Sequence, residues 1–297
     1  MDLRDLNYFL TVAREQNITR AAKKLNMSQP PLSRQLQLLE EELGVQLLVR
    51  GKRQVTLTDE GKYLAAQAEQ ILSMAKQTSQ HLATLKTQDI KGTLTIGVTE
   101  TCSASILPDV LPEFQRLYPL VDYNIWCGNS NDVAYRVREG LMEIGFIREP
   151  FNKNDFDAVH LQDETWLAVV SKDHPLAHAY ASTQNLALAD LCREPLFIPS
   201  RQPLQDELQQ WLTSAGVPHH IQCLYNQIAS IIPLIIAGMG VAISPGSVMN
   251  YTDSAKLDYI PITDSVHLSR LFMIRRRHGQ LSRTGEVFWK HVVEHVF

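Results

Sequence analysis

Gln29, Ser33 and Gln37, with Pro30 and Arg34 beside them, stand at helical spacing on one polar face of residues 28–44, and the basic cluster Arg50-Gly51-Lys52-Arg53 follows a few residues on. The chemistry this suits is recognition of a polyanion. Arg, Gln and Ser donate to phosphate oxygens and to base edges, and Arg bidentate to guanine is the commonest specific base contact. No comparable constellation suggests catalysis. His174 with His178 and His291 with His295 have i, i+4 spacing, but neither pair carries the Glu of an HExxH metal site. A glycine-rich phosphate loop and a nucleophile elbow are also absent from the sequence. Cys102, Cys127, Cys192 and Cys223 have neither close pairing nor metal spacing, the pattern of reduced thiols. The expectation is a protein without catalytic residues, cofactor or metal, with an enzyme as the weaker alternative.

The elements that position the polar face are legible around it. Ile18, Ala21, Ala22 and Leu25 fall on one helical face, and Leu32, Leu36, Leu39 and Leu43 begin a second periodic run after Asn26-Met27. Two short amphipathic helices sharing a core therefore read as a helix-turn-helix. Ser28 suits the N-cap of the second helix, and Pro30 and Pro31 suit its first turn, whose N–H groups have no intrahelical partner. Leu3, Leu6, Phe9, Leu10 and Ala13 supply a backing helix, while Leu47, Leu48, Val55 and Leu57 bracket the basic tip as two short strands. Residues 1–58 thus read as a winged helix-turn-helix for duplex DNA. They carry nine Lys and Arg against six Asp and Glu, a surplus of three, whereas the whole chain is at −4. Only this segment suits a polyanion.

Thr58 with Asp59 and Glu60 opens a further helix, residues 59–88, in which Leu64, Ala68, Ile71, Ala75, Thr78, Leu82 and Leu85 step by four and three. At 1.5 Å per residue the helix is roughly 40 Å long, too long to bury its stripe on a small winged domain. A second copy of the chain is the natural cover, through Leu64, Ala68, Ile71, Ala75 and Leu82. Packing on the same chain is the alternative. With 44% hydrophobic and 20% charged residues in 297, the chain has room for a small and a larger domain. It shows neither a signal peptide nor a membrane span, so a cytoplasmic protein is expected.

After the polar stretch 87–92, short apolar strands alternate with helical runs, an α/β pattern with largely parallel sheets. The strands are expected at Leu94 to Val98, Val121 to Trp126, Ile144 to Ile147, Trp166 to Val170, Leu196 to Ile198, Val241 to Ser244 and Leu271 to Ile274. Ligand sites in such sheets lie at strand carboxyl ends, near helix starts. Thr99, Thr101, Cys102 and Ser103 follow the first strand, Asn129 and Ser130 the second, and Arg148 ends the third. Ser200, Gln202 and Gln227 stand at later strand-to-helix junctions. Hydroxyls and helix-start N–H groups facing Arg148 suit a small organic anion, although Glu100 adds a like charge. Each residue taken singly also suits an ordinary N-cap or surface loop.

The stretch LRDLNYFLTVAREQNITRAAKKLNMSQPPLSRQLQLLEEELGVQLLVRGKRQVTLTDEG resembles the amino-terminal signature of LysR-type transcriptional regulators. The resemblance implies a linker helix for dimerisation after the winged domain. It also implies a two-lobed α/β effector-binding domain over 89–297, like a periplasmic solute-binding protein, with the junction residues above converging on the cleft. The chain then crosses between lobes near 162–164 and 266–268, giving lobe I as 93–163 plus 267–297 and lobe II as 164–266. Gly238-Met239-Gly240 resembles the family's glycine-rich turn into a buried strand. Homodimers or homotetramers on an interrupted inverted repeat, control by a small-molecule effector and engagement of RNA polymerase are the implied partners and mechanism. A ligand-binding module whose front domain serves another interaction is a second alternative.

Overall fold

The computed structural model describes residues 1–51, 54–84, 89–180, 185–250, 252, 255–263 and 267–295. The chain divides into two compact units, Met1–Lys86 and Thr87–Phe297.

The first unit contains α1 (Leu3–Glu15), α2 (Ile18–Lys24), α3 (Gln29–Leu43), the antiparallel hairpin β1 (Leu48–Arg50) and β2 (Val55–Leu57), and α4 (Asp59–Thr84). Its core is drawn largely from the periodic set: Phe9 and, beyond that set, Val12 of α1, Ala21 and Ala22 of α2, and Leu32, Leu36 and Leu39 of α3 are buried with Leu47, Leu48 and Val55, whereas Leu3 and Leu43 are exposed. Asp2 and Asp5 form a capping box at α1, and Asn17 accepts from the Arg20 N–H to cap α2. The expected cap of α3 differs in detail. Ser28 occupies the N-cap position but its exposed hydroxyl makes no capping bond, since Pro30 and Pro31 leave that turn without the usual N–H donors. Gly44, at φ 67°, ends α3 in the left-handed conformation.

The hairpin is tied to the helices by polar bonds. Glu40 of α3 accepts from the N–H groups of Leu47 and Leu48 at 2.8 and 3.0 Å, and the Val55 N–H donates to the Gln16 carbonyl. Thr58 caps α4 by accepting from the Gly61 N–H at 2.9 Å. A Cβ at Gly61 would stand 2.1 Å from the Leu47 carbonyl oxygen, so only glycine lets α4 start this close to the hairpin.

The seam expected on α4 is corrected in part. Ala68 is fully buried, and with Leu64, Ala65 and Leu72 it packs on Leu6 and Leu10 of α1 in the same chain. Two of the five residues expected at a chain-to-chain seam, Leu64 and Ala68, are therefore already covered. Tyr63, Ile71 and Met74 are exposed instead and Ala75 is half-buried; nothing is described of the Leu82 side chain, and Leu85 lies outside the described residues.

The second unit runs through β3 (Gly92–Val98), α5 (Glu100–Ser105), α6 (Leu107–Leu117), β4 (Val121–Cys127), α7 (Ser130–Arg138), β5 (Ile144–Arg148) and β6 (Phe156–Glu164). It continues with β7 (Trp166–Ser171), α8 (Pro175–Ala179), β8 (Leu186–Ala187), α9 (Leu188–Leu191), β9 (Pro195–Pro199), α10 (Gln202–Ser214) and β10 (His220–Tyr225). Last come α11 (Ile232–Ile236), β11 (Val241–Pro245), β12 (Leu257–Thr263), β13 (Ser269–Arg276) and α12 (Arg283–His295). One sheet has the order β4-β3-β5-β13-β6 and the other β10-β9-β11-β7-β12-β8.

Each sheet is buried on both faces, which explains the unbroken apolar runs of β5, β7 and β11. In the first sheet Ile96, Val98 and Phe146 meet Phe114 and Phe288 on one side, while Ile147, Phe272 and Ile274 meet Val133 and Val137 on the other. In the second, Val170, Ile198 and Ile243 meet Trp211 and Leu212 on one side, while Val169, Phe197 and Ala242 meet Tyr225 and Ile235 on the other. The expectation of largely parallel sheets is corrected. β7 runs antiparallel to β11 and β12, and β13 runs antiparallel to β5 and β6. Both are the strands entered directly from the other sheet, β7 after β6 through Thr165 and β13 after β12, so each arrives against the local strand direction.

Candidate functional site

Helix α3 divides its residues cleanly. Leu32, Leu36 and Leu39 face the core, whereas Gln29, Pro30, Arg34 and Gln37 are exposed and Ser33 is half-buried. Arg34 has no ion pair with a described residue, unlike Arg4, Arg14 and Lys24, which pair with Asp2, Glu69 and Glu15. The Glu15 carboxyl is accordingly held below its ordinary range by Lys24. An exposed guanidinium and two carboxamides on one helix face can donate to phosphates and base edges together. At the wing, Arg50 pairs through its backbone with Val55, and the Gly51 N–H donates to the Gln54 carbonyl to close the turn. Lys52 and Arg53 lie outside the described residues, and nothing is described of the Arg50 side chain.

In the second unit a cleft of about 90 Å³ lies between the two sheets' carboxyl ends. Of the residues expected there, Thr99, Thr101, Asn129, Ser130, Arg148 and Gln227 line it. The other four are placed elsewhere. Cys102 is fully buried in the core under the first sheet, and burial pushes its thiol up from the ordinary cysteine range. Ser103 turns back to donate to the Glu100 carbonyl at 2.6 Å, and Gln202 reaches forward along α10 to Asp206 at 2.9 Å. Ser200 is half-buried beside the cleft, its N–H donating to the Tyr225 carbonyl.

Bonds across the cleft hold the lobes together. Asn129 caps α7 through its Oδ1 and donates from Nδ2 to Asn226 at 3.0 Å. The buried Glu100 carboxylate turns inward and accepts from the Ile228 N–H at 2.7 Å. Arg201 donates to the carbonyls of Pro150 and Glu149 at 2.5 and 2.6 Å.

The role expected of Arg148 is corrected. Its guanidinium is buried and fully engaged, giving 2.7 Å to Glu164, 2.9 Å to Ser247, 3.1 Å to Ser269 and 3.3 Å to Thr101. Glu164 in turn accepts from the Ser247 N–H at 2.8 Å. A fork already matched to a carboxylate is not offered to a ligand; Arg148 instead fastens β5 to the strand crossing and to the second lobe.

Arg201 also lines the cleft, and sequence reasoning does not single it out. Within Pro199-Ser200-Arg201-Gln202 the polar neighbours attract attention as caps, and an Arg at a strand-to-helix junction reads as solvated. Burial of only 8% exposure is visible in three dimensions alone. That burial brings its guanidinium down to about 10, with Glu207 opposing the shift. A second cavity, about 340 Å³, shares Trp166 and Leu204 with the cleft and is otherwise lined by residues such as Phe151, Trp211, His267 and Arg270, none of them expected at a site. In the histidine pairs, His174 accepts from the Leu176 N–H at the start of α8 and His291 packs on Phe114, while His178 is exposed. Among the described residues no group of three His, Cys, Asp or Glu is arranged for a metal ion, and no helix is long and apolar enough to cross a membrane.

Comparison with known proteins accounts for both units. The family of bacterial regulatory helix-turn-helix proteins of the lysR type matches residues 3–62, and the LysR substrate binding domain matches residues 87–296. The chain is 31% identical over 297 residues to the uncharacterized HTH-type transcriptional regulator YnfL of Escherichia coli K12, covering 99% of this chain and 98% of the relative. It is 32% identical over 275 residues to the Hca operon transcriptional activator HcaR of the same organism, covering 92% and 91%. Its fold is similar to full-length CbnR, solved in complex with its target DNA, with a TM-score of 0.79, 26% identity and 99% of both chains covered. With a lysR-type helix-turn-helix unit followed by the effector-binding unit of the same family, the chain belongs to the LysR-type transcriptional regulators, which bind DNA under the control of a small-molecule effector.

Proposed function

We propose that α3 reads the operator, with Gln29, Ser33, Arg34 and Gln37 at base edges and phosphates, Pro30 in apolar contact with a base, and Arg50 and Arg53 of the wing on the backbone. The observation that carries this reading is the division of α3, whose apolar face is closed by the core while its Gln and Arg face is left to solvent. Two copies joined through α4 double the modest positive surplus and present two reading helices to an interrupted inverted repeat, as a dimer or a pair of dimers. RNA polymerase at the adjacent promoter is the further partner, and the cytoplasm is the compartment.

The effector binds in the cleft of the second unit. Cross-lobe bonds from Asn129, Glu100 and Arg201 support this, because a ligand that inserts among them changes how tightly the lobes close. A coupling of about 1–3 kcal/mol, or 5- to 150-fold in operator affinity, suffices for regulation. The test is titration of operator and scrambled duplexes with the wild-type chain and with Arg34→Ala. An unchanged ratio of specific to nonspecific affinity in the variant would remove α3 as the reading helix.

A further inference from the structure

We infer that Arg201 is the residue that reads the effector's charge in this chain, and that the effector is a short monocarboxylic acid. The inference rests on the cleft being the effector site. Among the described residues, Arg148 and Arg201 are the two buried arginines, at 5% and 8% exposure. Arg148 is answered by Glu164. Arg201 has no ion pair with any described residue; its guanidinium donates to the neutral carbonyls of Pro150 and Glu149, and the Glu207 carboxylate acts on it only at longer range.

A buried cation with no carboxylate in contact is costly unless an anion completes it. Arg201 stays protonated at neutral pH, since burial brings it down only to about 10. The bonds to Pro150 and Glu149 occupy two N–H groups, and a guanidinium carries five. The rest have no described partner at a side chain that lines the cleft. Thr99 lines the same space, with its hydroxyl oxygen buried and met only by the neighbouring Cys102 thiol. A carboxylate in the cleft takes the remaining N–H groups of Arg201, and rotation of the Thr99 side chain away from Cys102 brings its hydroxyl to the same ligand.

The remaining walls narrow the class. Glu100 lines the cleft with its carboxylate turned inward, which opposes each negative charge on the ligand and so weighs most heavily against dicarboxylates and phosphate esters. Trp166, Leu204 and Pro245 offer apolar surface to an acyl chain. The space is about 90 Å³, against about 150 Å³ for a cavity that holds benzene, so a short aliphatic chain is favoured over an aromatic ring.

Calorimetric titration of the full-length protein with propionate, propionamide, butyrate, butyramide, succinate and benzoate tests this, with operator affinity measured in parallel on a selected duplex. Wild type should bind a short acid at least about tenfold more tightly than its amide, with succinate and benzoate weaker. Arg201→Gln should erase the preference for acid over amide. Arg201→Lys should keep the preference at reduced affinity, because the charge remains and the fork is lost. Thr99→Val should weaken the acid without exchanging the preference. Should Arg201→Gln fail to fold, the Lys and Val variants carry the test. Equal binding of acid and amide, a preference that survives Arg201→Gln, or no acid binding at tens of millimolar overturns the assignment. The cleft reading fails separately: an acid that binds through Arg201 without changing operator affinity supports the assignment and removes the effector role. A neutral ligand that changes operator affinity and is sensitive to Thr99→Val does the reverse.

Discussion

Arg34 is the one cation of α3, and its surroundings determine what its loss should do. It is exposed and unpaired with any described residue, so Arg34→Ala should leave the melting temperature of the protein near wild type. Operator affinity should fall by about 1–3 kcal/mol with relaxed base preference. Arg53→Ala should instead weaken binding evenly across sequences and lower the salt slope by about one phosphate contact per subunit; duplex titrations at several salt concentrations separate the two. Arg148 behaves in the opposite way. Arg148→Met leaves Glu164 buried without its partner, which should destabilise the second unit by about 3–5 kcal/mol. Thermal unfolding of that variant checks the point, and an unchanged melting temperature would contradict the role of Arg148 as a fastener. Residue types alone suggested Arg148 as the ligand's cation because it ends an apolar strand. Its carboxylate partner comes from Glu164, 16 positions on, and nothing in the local sequence links the two.

Among the elements, α4 serves two purposes along different faces. Leu64 and Ala68 are closed onto α1, whereas Tyr63, Ile71 and Met74 are open. Ala68→Glu should therefore unfold the first unit by burying a charge. The pair Ile71→Glu and Met74→Glu should keep the helical circular dichroism signal while lowering the mass seen by sedimentation; a wild-type oligomer in that double variant would exclude this face as the contact. The heptad steps were visible in the sequence, but the register of cover was not, since α1 and a partner chain compete for the same apolar stripe. Elements with strong periodicity or continuous apolar runs, such as α3, β5 and β7, were legible. Of the edge strands β4 was legible, whereas β6 and β10 were not. β6 and β10 interleave charged or polar residues with apolar ones because one edge is solvated, and β12, an interior strand between β7 and β8, carries Pro261, which argues against a strand read locally. The antiparallel entry of β7 and β13 is likewise set by the chain crossing between sheets, a feature of topology rather than composition.

At the scale of the whole molecule, charge is divided by task. The first 58 residues hold a surplus of three positive charges in a chain of net −4, leaving the remainder at −7. Affinity for duplex DNA should thus belong to the first unit, depend steeply on salt, and respond to ligands of the second unit only through coupling between binding events. The most direct test is selection by the full-length protein from a random duplex library, with the enriched sequences titrated against the wild type and Arg34→Ala. An interrupted inverted repeat should emerge, bound with a strong salt dependence, and lose its advantage over scrambled duplex when Arg34 is removed. Failure to enrich any sequence, or an enriched sequence bound equally well by Arg34→Ala, would contradict the account.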